Sequence, residues 1–328
     1  MTDTDKPSLP RRFRKRWLWA LALVLVALAI NAPGVFALGY KLWGGPRVAA
    51  LPLTPPFKSG DRLLVIAPHP DDESLCCAGA IQQAEQAGAQ VYIVWMTSGD
   101  GFEFDAILLN REPRPDANDL LALGKQRMQE ARKAAQILRI PPQHLYFLGF
   151  PDGGLMPVFL QHYLEPYRSR YTGKTAVPYA GTVLPGAAFT GANLEKALGR
   201  VIAAVKPTVV LAPSPSEGNR DHAASGLAAL RVLGKQGQAD TLRFYMVHGG
   251  LEWPLPKGLH PSLPLTLPSR GKGLPWNRTD LSSTEVQLKA EAIRAHHSQM
   301  LVLGRFMNAF VRTNELYSPE AVVETPTP

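Results

Sequence analysis

The chain has 328 residues, 45% of them hydrophobic, enough for one large domain or two small ones. Its formal charge is +8, but residues 1–16 carry +4 of it, with Lys6, Arg11, Arg12, Arg14, Lys15 and Arg16 against Asp3 and Asp5. The remainder is a mildly basic body with no basic stripe interleaved with aromatics, which argues against a nucleic-acid partner.

After the basic tail, an apolar run begins at Trp17 and continues unbroken to Ile30, then passes Pro33 and Gly34 toward Tyr40 and Trp43. Together these segments reach the roughly 20 residues that a bilayer core requires. Residues 17–43 therefore read as a transmembrane signal anchor, with Trp17, Trp19, Tyr40 and Trp43 at the interfaces. The basic tail keeps the N-terminus cytoplasmic and puts the body on the exported, periplasmic side of the inner membrane. The competing reading is a cleaved signal peptide, with Val35, Phe36 and Ala37 at the cleavage site and the body secreted. Residues 44–60, with Pro46, Pro52, Pro55 and Pro56, form a linker to a body at 61–316, and 317–328 form a short flexible tail.

Within the body, apolar runs alternate with amphipathic ones. Residues 61–67, rich in branched side chains, predict a buried parallel strand. A helix with small and apolar residues follows over 74–84 and contains the only cysteines, Cys76 and Cys77. Adjacent cysteines rarely make a good disulfide, so both read as small buried side chains. Further strands are expected at 90–96, 144–148, 208–212 and 242–247, and helices at 121–138, 192–205, 222–234 and 284–297. Residues 155–190, rich in aromatics, Pro and Gly, read as an excursion rather than a core element, and 249–281 as a Pro-rich loop. The alternation predicts an α/β fold: a Rossmann-like, doubly wound, mainly parallel sheet flanked by helices.

The chemistry concentrates at two strand-to-helix corners. The first is His69, Pro70, Asp71, Asp72 and Glu73, where one imidazole and three carboxylates crowd the carboxyl end of a strand. Helix capping accounts for one carboxylate and leaves the others repelling each other. His69 and Asp72 can turn toward one point and offer nitrogen and oxygen to a borderline metal such as zinc. Asp71, between them, stands where a general base would reach a metal-bound water. The second corner runs from Glu217 to His222. With the strand order 3-2-1-4, the first and fourth strands are neighbours, and His222 completes a His/Asp/His set with an open position. Asn219 and Asp221 then line the same cavity. In the last helix, His296 or His297 could enter the site from the side, and the spacing does not choose between them.

Three motifs together carry a resemblance: His69-Pro70-Asp71-Asp72-Glu73 after an apolar strand, the Asp221-His222 corner, and Lys289 followed by Ala295, His296, Ser298 and Gln299. On these the chain resembles the PIG-L/LmbE family of zinc-dependent N-acetylglucosaminyl deacetylases, over about 62–152 and again over about 195–300. The resemblance implies zinc ligands His69, Asp72 and His222, Asp71 as general base, and His296 as the histidine that stabilises the tetrahedral oxyanion. It implies Arg127 as a substrate-binding arginine, and it covers Asp152, which with Asn219 and Asp221 is assigned to the substrate. Where the family often has His-x-Asp-His, this chain has Asn219, Arg220, Asp221 and His222.

The expected activity is therefore zinc-assisted hydrolysis of an N-acetyl group on an N-acetylglucosamine-type sugar of an envelope glycan or glycolipid, by an enzyme held at the membrane through its N-terminal helix. Two alternatives stand beside it: a non-catalytic glycan-binding protein on the same fold, and a zinc hydrolase of another acyl bond.

Overall fold

A computed structural model describes residues 17–26, 39–110, 115–250 and 253–321. Leu63, Leu64, Val65, Ile66 and Ala67 are all fully buried, and the strand they build, β1 (Arg62–Ala67), lies at the centre of a five-stranded sheet. A strand covered on both faces can be continuously apolar, which is why the run shows no alternation. The other strands are β2 (Gln90–Thr97), β3 (Leu145–Phe150), β4 (Val209–Pro213) and β5 (Leu242–Tyr245). Their order is β3-β2-β1-β4-β5, and every pairing is parallel. The chain reverses its direction of winding between β1 and β4, where Leu63, Leu64 and Val65 pair with Val209, Val210 and Leu211. The neighbourhood expected for the first and fourth strands is the observed one.

Helices cover both faces. From residue 45 onward the α-helices are α1 (Gly45–Ala49), α2 (Asp72–Gln86), α3 (Glu103–Asn110), α4 (Ala117–Ile137), α5 (Leu155–Leu160), α6 (Gly191–Val205), α7 (Arg220–Lys235), α8 (Ser283–Ala295) and α9 (His297–Met307) among the described residues. Alternate residues of β1 divide the core. Leu63, Val65 and Ala67 pack with α2, α4 and α8, whereas Leu64 and Ile66 pack with α5, α6 and α7. Local sequence sets the helix starts: Asp116 with Asp119, and Ser282 with Glu285, form capping boxes on α4 and α8.

Several expectations are corrected. The helix expected over 284–297 is two helices, α8 and α9, with His296 at the break in a non-helical conformation (φ −80°, ψ 62°). The loop-like 249–281 ends in a strand, β6 (Asn277–Asp280), paired antiparallel with β7 (Asn314–Tyr317) in a second, two-stranded sheet. Leu53 of the linker bridges to Arg278 beside it, so the linker's end is part of the body. At the other end the body runs past 316: Tyr317 and Ser318 are buried, and Ser318 pairs with Phe244. Cys76 and Cys77 are joined as a vicinal disulfide at the start of α2, not two separate thiols.

Among the described residues no helix is long and apolar enough to cross a membrane, so the transmembrane helix expected at 17–43 is not found among them. That expected span falls partly on 27–38, outside the described residues, as do the tails 1–16 and 322–328. Residues 17–26 are helical and expose Trp17, Leu18 and Trp19, while Tyr40–Gly44 make a π-helical turn.

Candidate metal centre

The first corner is shaped where β1 ends. Pro68 and Pro70 bracket His69 and have no N–H for the ladder. Thr97 of β2 instead grips Pro68 O with both its backbone N–H (3.0 Å) and its hydroxyl (2.9 Å). Asp71 follows with φ 147° and ψ −29°, a backbone conformation that costs a non-glycine residue energy and marks functional turns. Arg127 holds it there, donating from Nη2 to Pro70 O (3.0 Å) and Asp71 Oδ2 (3.3 Å), and from Nη1 to Gly99 O (2.9 Å). Asp72 opens α2, and His69 N donates to its Oδ2 at 2.9 Å.

The second corner faces it across β1 and β4. Asn219 caps α7 by accepting from Asp221 N (2.8 Å), and one turn of helix then delivers His222. Asp72 Oδ2 lies 3.3 Å from both His69 Nδ1 and His222 Nε2, and one ligand atom from each of the three residues falls within 4.8 Å of the others. His222 Nε2 is buried and makes no hydrogen bond with any described residue, although that carboxylate is beside it. A buried polar atom without a partner is costly, and a lone pair aimed at a shared third point explains this one. Nitrogen and carboxylate donors in this number suit a divalent metal with a position left open.

Outer partners orient both rings. Glu217 Oε1 lies 3.3 Å from His222 Nδ1, and Glu217 is itself fixed by the backbone N–H groups of Val247 and His248. Behind His69, Asp221 Oδ2 takes a hydrogen bond from Nε2 (3.4 Å) and Asp152 Oδ1 stands 3.3 Å away, which turns Nδ1 toward Asp72. His69, Asp152 and Asp221 also form a triad close enough for a cation. Its carboxylates are already committed, however: Asp221 accepts from Gly153 N (2.6 Å) and Leu155 N (3.0 Å), and Asp152 from Gly101 N (3.0 Å). The set with His222 is the one with free donor capacity.

The electrostatics follow from this crowding. Burial disfavours charge on His222, but Asp72 and Glu217 outweigh it and lift its pKa to about 9. Burial likewise opposes charge on His69, and Asp152, Asp221 and Asp72 raise it well above the usual imidazole value. For Asp71 burial wins over the Arg127 charge, and its carboxyl rises to about 6. Asp152 moves the other way, to about 2: burial raises it, and His69 and Arg127 more than reverse that.

All the residues singled out in the sequence meet here, though not all with open hands. Arg127 is only 3% exposed and spends its guanidinium on the loop that carries Asp71. Asp221 and Asp152 brace His69 and also line the adjoining cleft with Asn219. His296 is buried and His297 exposed, which resolves the pair. His296 Nε2 bonds Glu73 Oε1 (2.8 Å), while its Nδ1 is buried without a partner among the described residues. Trp95 and His248 were not anticipated, and Glu73 and Glu217 stood in the two corners without an assigned role. Glu73 joins His296 to Trp95 Nε1 (2.8 Å) and Asp71 N (3.1 Å), so its side chain couples three elements. Burial pushes the Glu73 pKa up, but His296 and the hydrogen bonds from Trp95 and Ser74 bring it below the ordinary value. His248 stands edge-on to His222 with ring centres 4.7 Å apart, and burial with the His222 charge lowers its pKa to about 4. Spacing in the chain signals neither Trp95 nor His248, which stand outside both corners.

A cleft of about 560 Å³ opens beside His69 and includes Phe102, Tyr167 and Tyr171. A larger cavity of about 690 Å³ lies between α1 and residues 266–276 and shares no residue with this site. Comparison with known proteins decides the family: a profile described as GlcNAc-PI de-N-acetylase (PIG-L) matches residues 64–233. The chain belongs to the PIG-L family. It is 30% identical over 257 residues to the 1D-myo-inositol 2-acetamido-2-deoxy-alpha-D-glucopyranoside deacetylase of Actinosynnema mirum, covering 74% of this chain and 81% of that one. To the diacetylchitobiose deacetylase of Thermococcus kodakarensis it is 23% identical over 266 residues, covering 80% and 79%. An antimicrobial-reagent pseudoaglycone deacetylase of known structure shares the fold at a TM-score of 0.50 and 20% identity, over 80% of this chain and 99% of that one. As a PIG-L protein the chain is a hydrolytic deacetylase, in a family whose members are typically metal-dependent.

Proposed function

We propose that this PIG-L protein is a zinc-dependent hydrolase that removes the acetyl group from an N-acetylglucosamine-type sugar of an envelope glycan or glycolipid. The observation that carries the reading is the unpartnered, buried Nε2 of His222, facing Asp72 and His69 with Asp71 alongside. The names of the relatives, which describe acetylated amino sugars, support the substrate class. The basic tail and the apolar run after it support a membrane tether with the catalytic body on the exported side.

His69, Asp72 and His222 would hold the zinc, which when bound supplies Lewis-acid polarisation of the acetamide carbonyl and a water of lowered pKa. The chain's own residues do the rest. Asp71, with a carboxyl near 6, accepts the proton of the attacking water and returns it to the leaving amine. Arg127 keeps that carboxylate aimed, through Pro70 O and Asp71 Oδ2. His296, its charge favoured by Glu73, offers Nδ1–H to the oxyanion.

Metal analysis and acetate release from N-acetylglucosaminides test the reading. The zinc-loaded chain should hold about one ion and lose activity on chelation. Asp71→Asn should keep the metal while kcat falls roughly 10²–10⁴-fold, because only the proton acceptor is gone. Asp72→Asn should lose the metal itself, an amide being a poorer ligand. Full activity in a chelated, metal-free sample would end the zinc assignment.

A further inference from the structure

We infer that the cleft beside the metal centre selects amino sugars carrying an anionic substituent, a phosphate or a carboxylate, received by Arg170 and Arg220. The inference rests on the deacetylase reading above and names the substrate class of the same site. The cleft is continuous with the catalytic corner, because Asp152 and Asp221, which lie in its wall, also stand 3.3 and 3.4 Å from His69 Nε2.

The excursion at 155–190 builds the opposite wall. Gly153, with φ +68°, is bare because a methyl there would sit 2.9 Å from Tyr171 Cε2 and 3.1 Å from Arg170 Nη2. A methyl on Gly154 would sit 2.8 Å from Tyr167 Cε1. The glycine pair after β3 thus lets two aromatic rings and a guanidinium lie directly on the backbone whose N–H groups brace Asp221. Arg170 is held in place by stacking on the Tyr171 ring (4.5 Å to its centre) and by donating from Nη2 to the Tyr171 hydroxyl (2.6 Å). Such a guanidinium has donors to spare and has already given up conformational freedom.

Charge decides what it is for. Among the described residues, four charged side chains line the cleft: Asp152, Asp221, Arg170 and Arg220. Both carboxylates are spent on His69 and on the N–H groups of Gly101, Gly153 and Leu155. Arg170 spends one hydrogen bond, on a neutral hydroxyl, and Arg220, exposed at the first turn of α7, forms no ion pair with any described residue. The uncommitted charge on the cleft is therefore two guanidiniums, groups whose forked donors match phosphate and carboxylate oxygens. Tyr167, Tyr171 and Phe102 supply apolar faces for a sugar ring between them and the metal corner.

The test compares acetate release by the zinc-loaded full chain from three probes: methyl N-acetylglucosaminide, N-acetylglucosamine 1-phosphate and N-acetylmuramic acid. An anionic probe should be preferred in kcat/KM by about tenfold or more, and the two anionic arms separate phosphate from carboxylate as the source. Arg170→Gln with Arg220→Gln should lower that preference by about tenfold through KM, and Arg220→Lys should retain part of it. Zinc content of each variant reports that its body is folded. Release from the neutral probe with no anionic preference, or a loss equal on all three probes, overturns the selection while leaving the deacetylase reading intact. No release from any probe by the zinc-loaded chain overturns both.

Discussion

Glu217 shows how a residue can matter to a metal without touching it. Its Oε1 faces His222 Nδ1 at 3.3 Å, and such a partner fixes the ring and raises its basicity. Glu217→Gln should leave the fold intact and weaken zinc binding about 10–100-fold, measured by competition with a chromophoric chelator; unchanged affinity would make Glu217 a loop clamp only. Asp100 carries a different charge effect. It is buried, accepts from the Tyr179 hydroxyl (2.6 Å) and from Asp152 N (3.3 Å), and burial lifts its pKa to about 6. Because that value is above the unfolded one, its contribution to stability is fully present below about pH 4 and is lost as pH rises through about 6. Asp100→Asn keeps an oxygen for Asp152 N, can turn its amide N–H to donate to the Tyr179 oxygen, and needs no buried charge, so it should raise stability at pH 8, by up to about 3 kcal/mol, and not at pH 4. Urea unfolding at the two pH values checks this, and an equal effect at both would contradict it. At this scale the sequence shows residues that stand in one compact motif. His69, Asp71 and Asp72 fall within a single turn, so their chemistry is visible without a fold. Arg170 and His248 come from loops far along the chain, and only tertiary packing brings them in.

Elements are joined here by buried polar contacts that no periodicity encodes. Lys289 of α8 and Glu315 of β7 form a fully buried ion pair at 2.6 Å, and Glu315 also accepts from Gly79 N (2.8 Å), Ala80 N (2.9 Å) and the Tyr317 hydroxyl (2.7 Å). The same Tyr317 hydroxyl lies 3.0 Å from Cys76 O, its one proton shared between that carbonyl and Glu315, so side chains of β7 reach the backbone of α2. Gly79 makes room: a methyl there would collide with Leu281 and meet Glu315 Oε2 at 3.0 Å. Burial lowers the Lys289 pKa against the pull of Glu315, yet removing the lysine would strand a carboxylate. Lys289→Met should therefore cost about 3–5 kcal/mol in urea unfolding, and a loss below about 1 kcal/mol would show the pair to be dispensable. These contacts explain which elements the sequence announced. The buried strands of the large sheet are apolar runs bounded by turns, and all of them were legible. β6 reads Asn277, Arg278, Thr279, Asp280, with no apolar run at all, and exists because β7 and Leu53 lie beside it. The break between α8 and α9 at His296 was hidden for a similar reason: local propensity favours one continuous helix, and the partner that occupies His296, Glu73, sits 223 residues away.

At the scale of the whole molecule, topology was the most legible feature, because strand–helix alternation leaves few ways to wind a parallel sheet. That topology puts both corners on one edge of the sheet and leaves the N-terminal segment to decide where the enzyme works. The charge is lopsided: residues 1–16 hold half of the net +8, directly before the apolar run that starts at Trp17. Positive charge flanking an apolar segment is retained on the cytoplasmic side, so the body from residue 60 onward is expected across the membrane. The apolar side chains exposed on 17–26, from Trp17 to Val26, are consistent with a segment that needs a lipid or signal-recognition environment, not water. The prediction is made with fusions at the C-terminus. A reporter that works only after export should be active, and one that works only in the cytoplasm should be silent. Replacing Arg11, Arg12, Arg14, Lys15 and Arg16 with neutral residues should erode that contrast, since the charge bias sets the orientation. N-terminal sequencing of the mature protein then separates the two routes: retention of residues 1–43 marks an anchor, and their removal marks a cleaved signal with a released body. A cytoplasm-only reporter that is active on the unmodified chain would reverse the assignment, and the substrate would then have to be sought among cytoplasmic amino sugars.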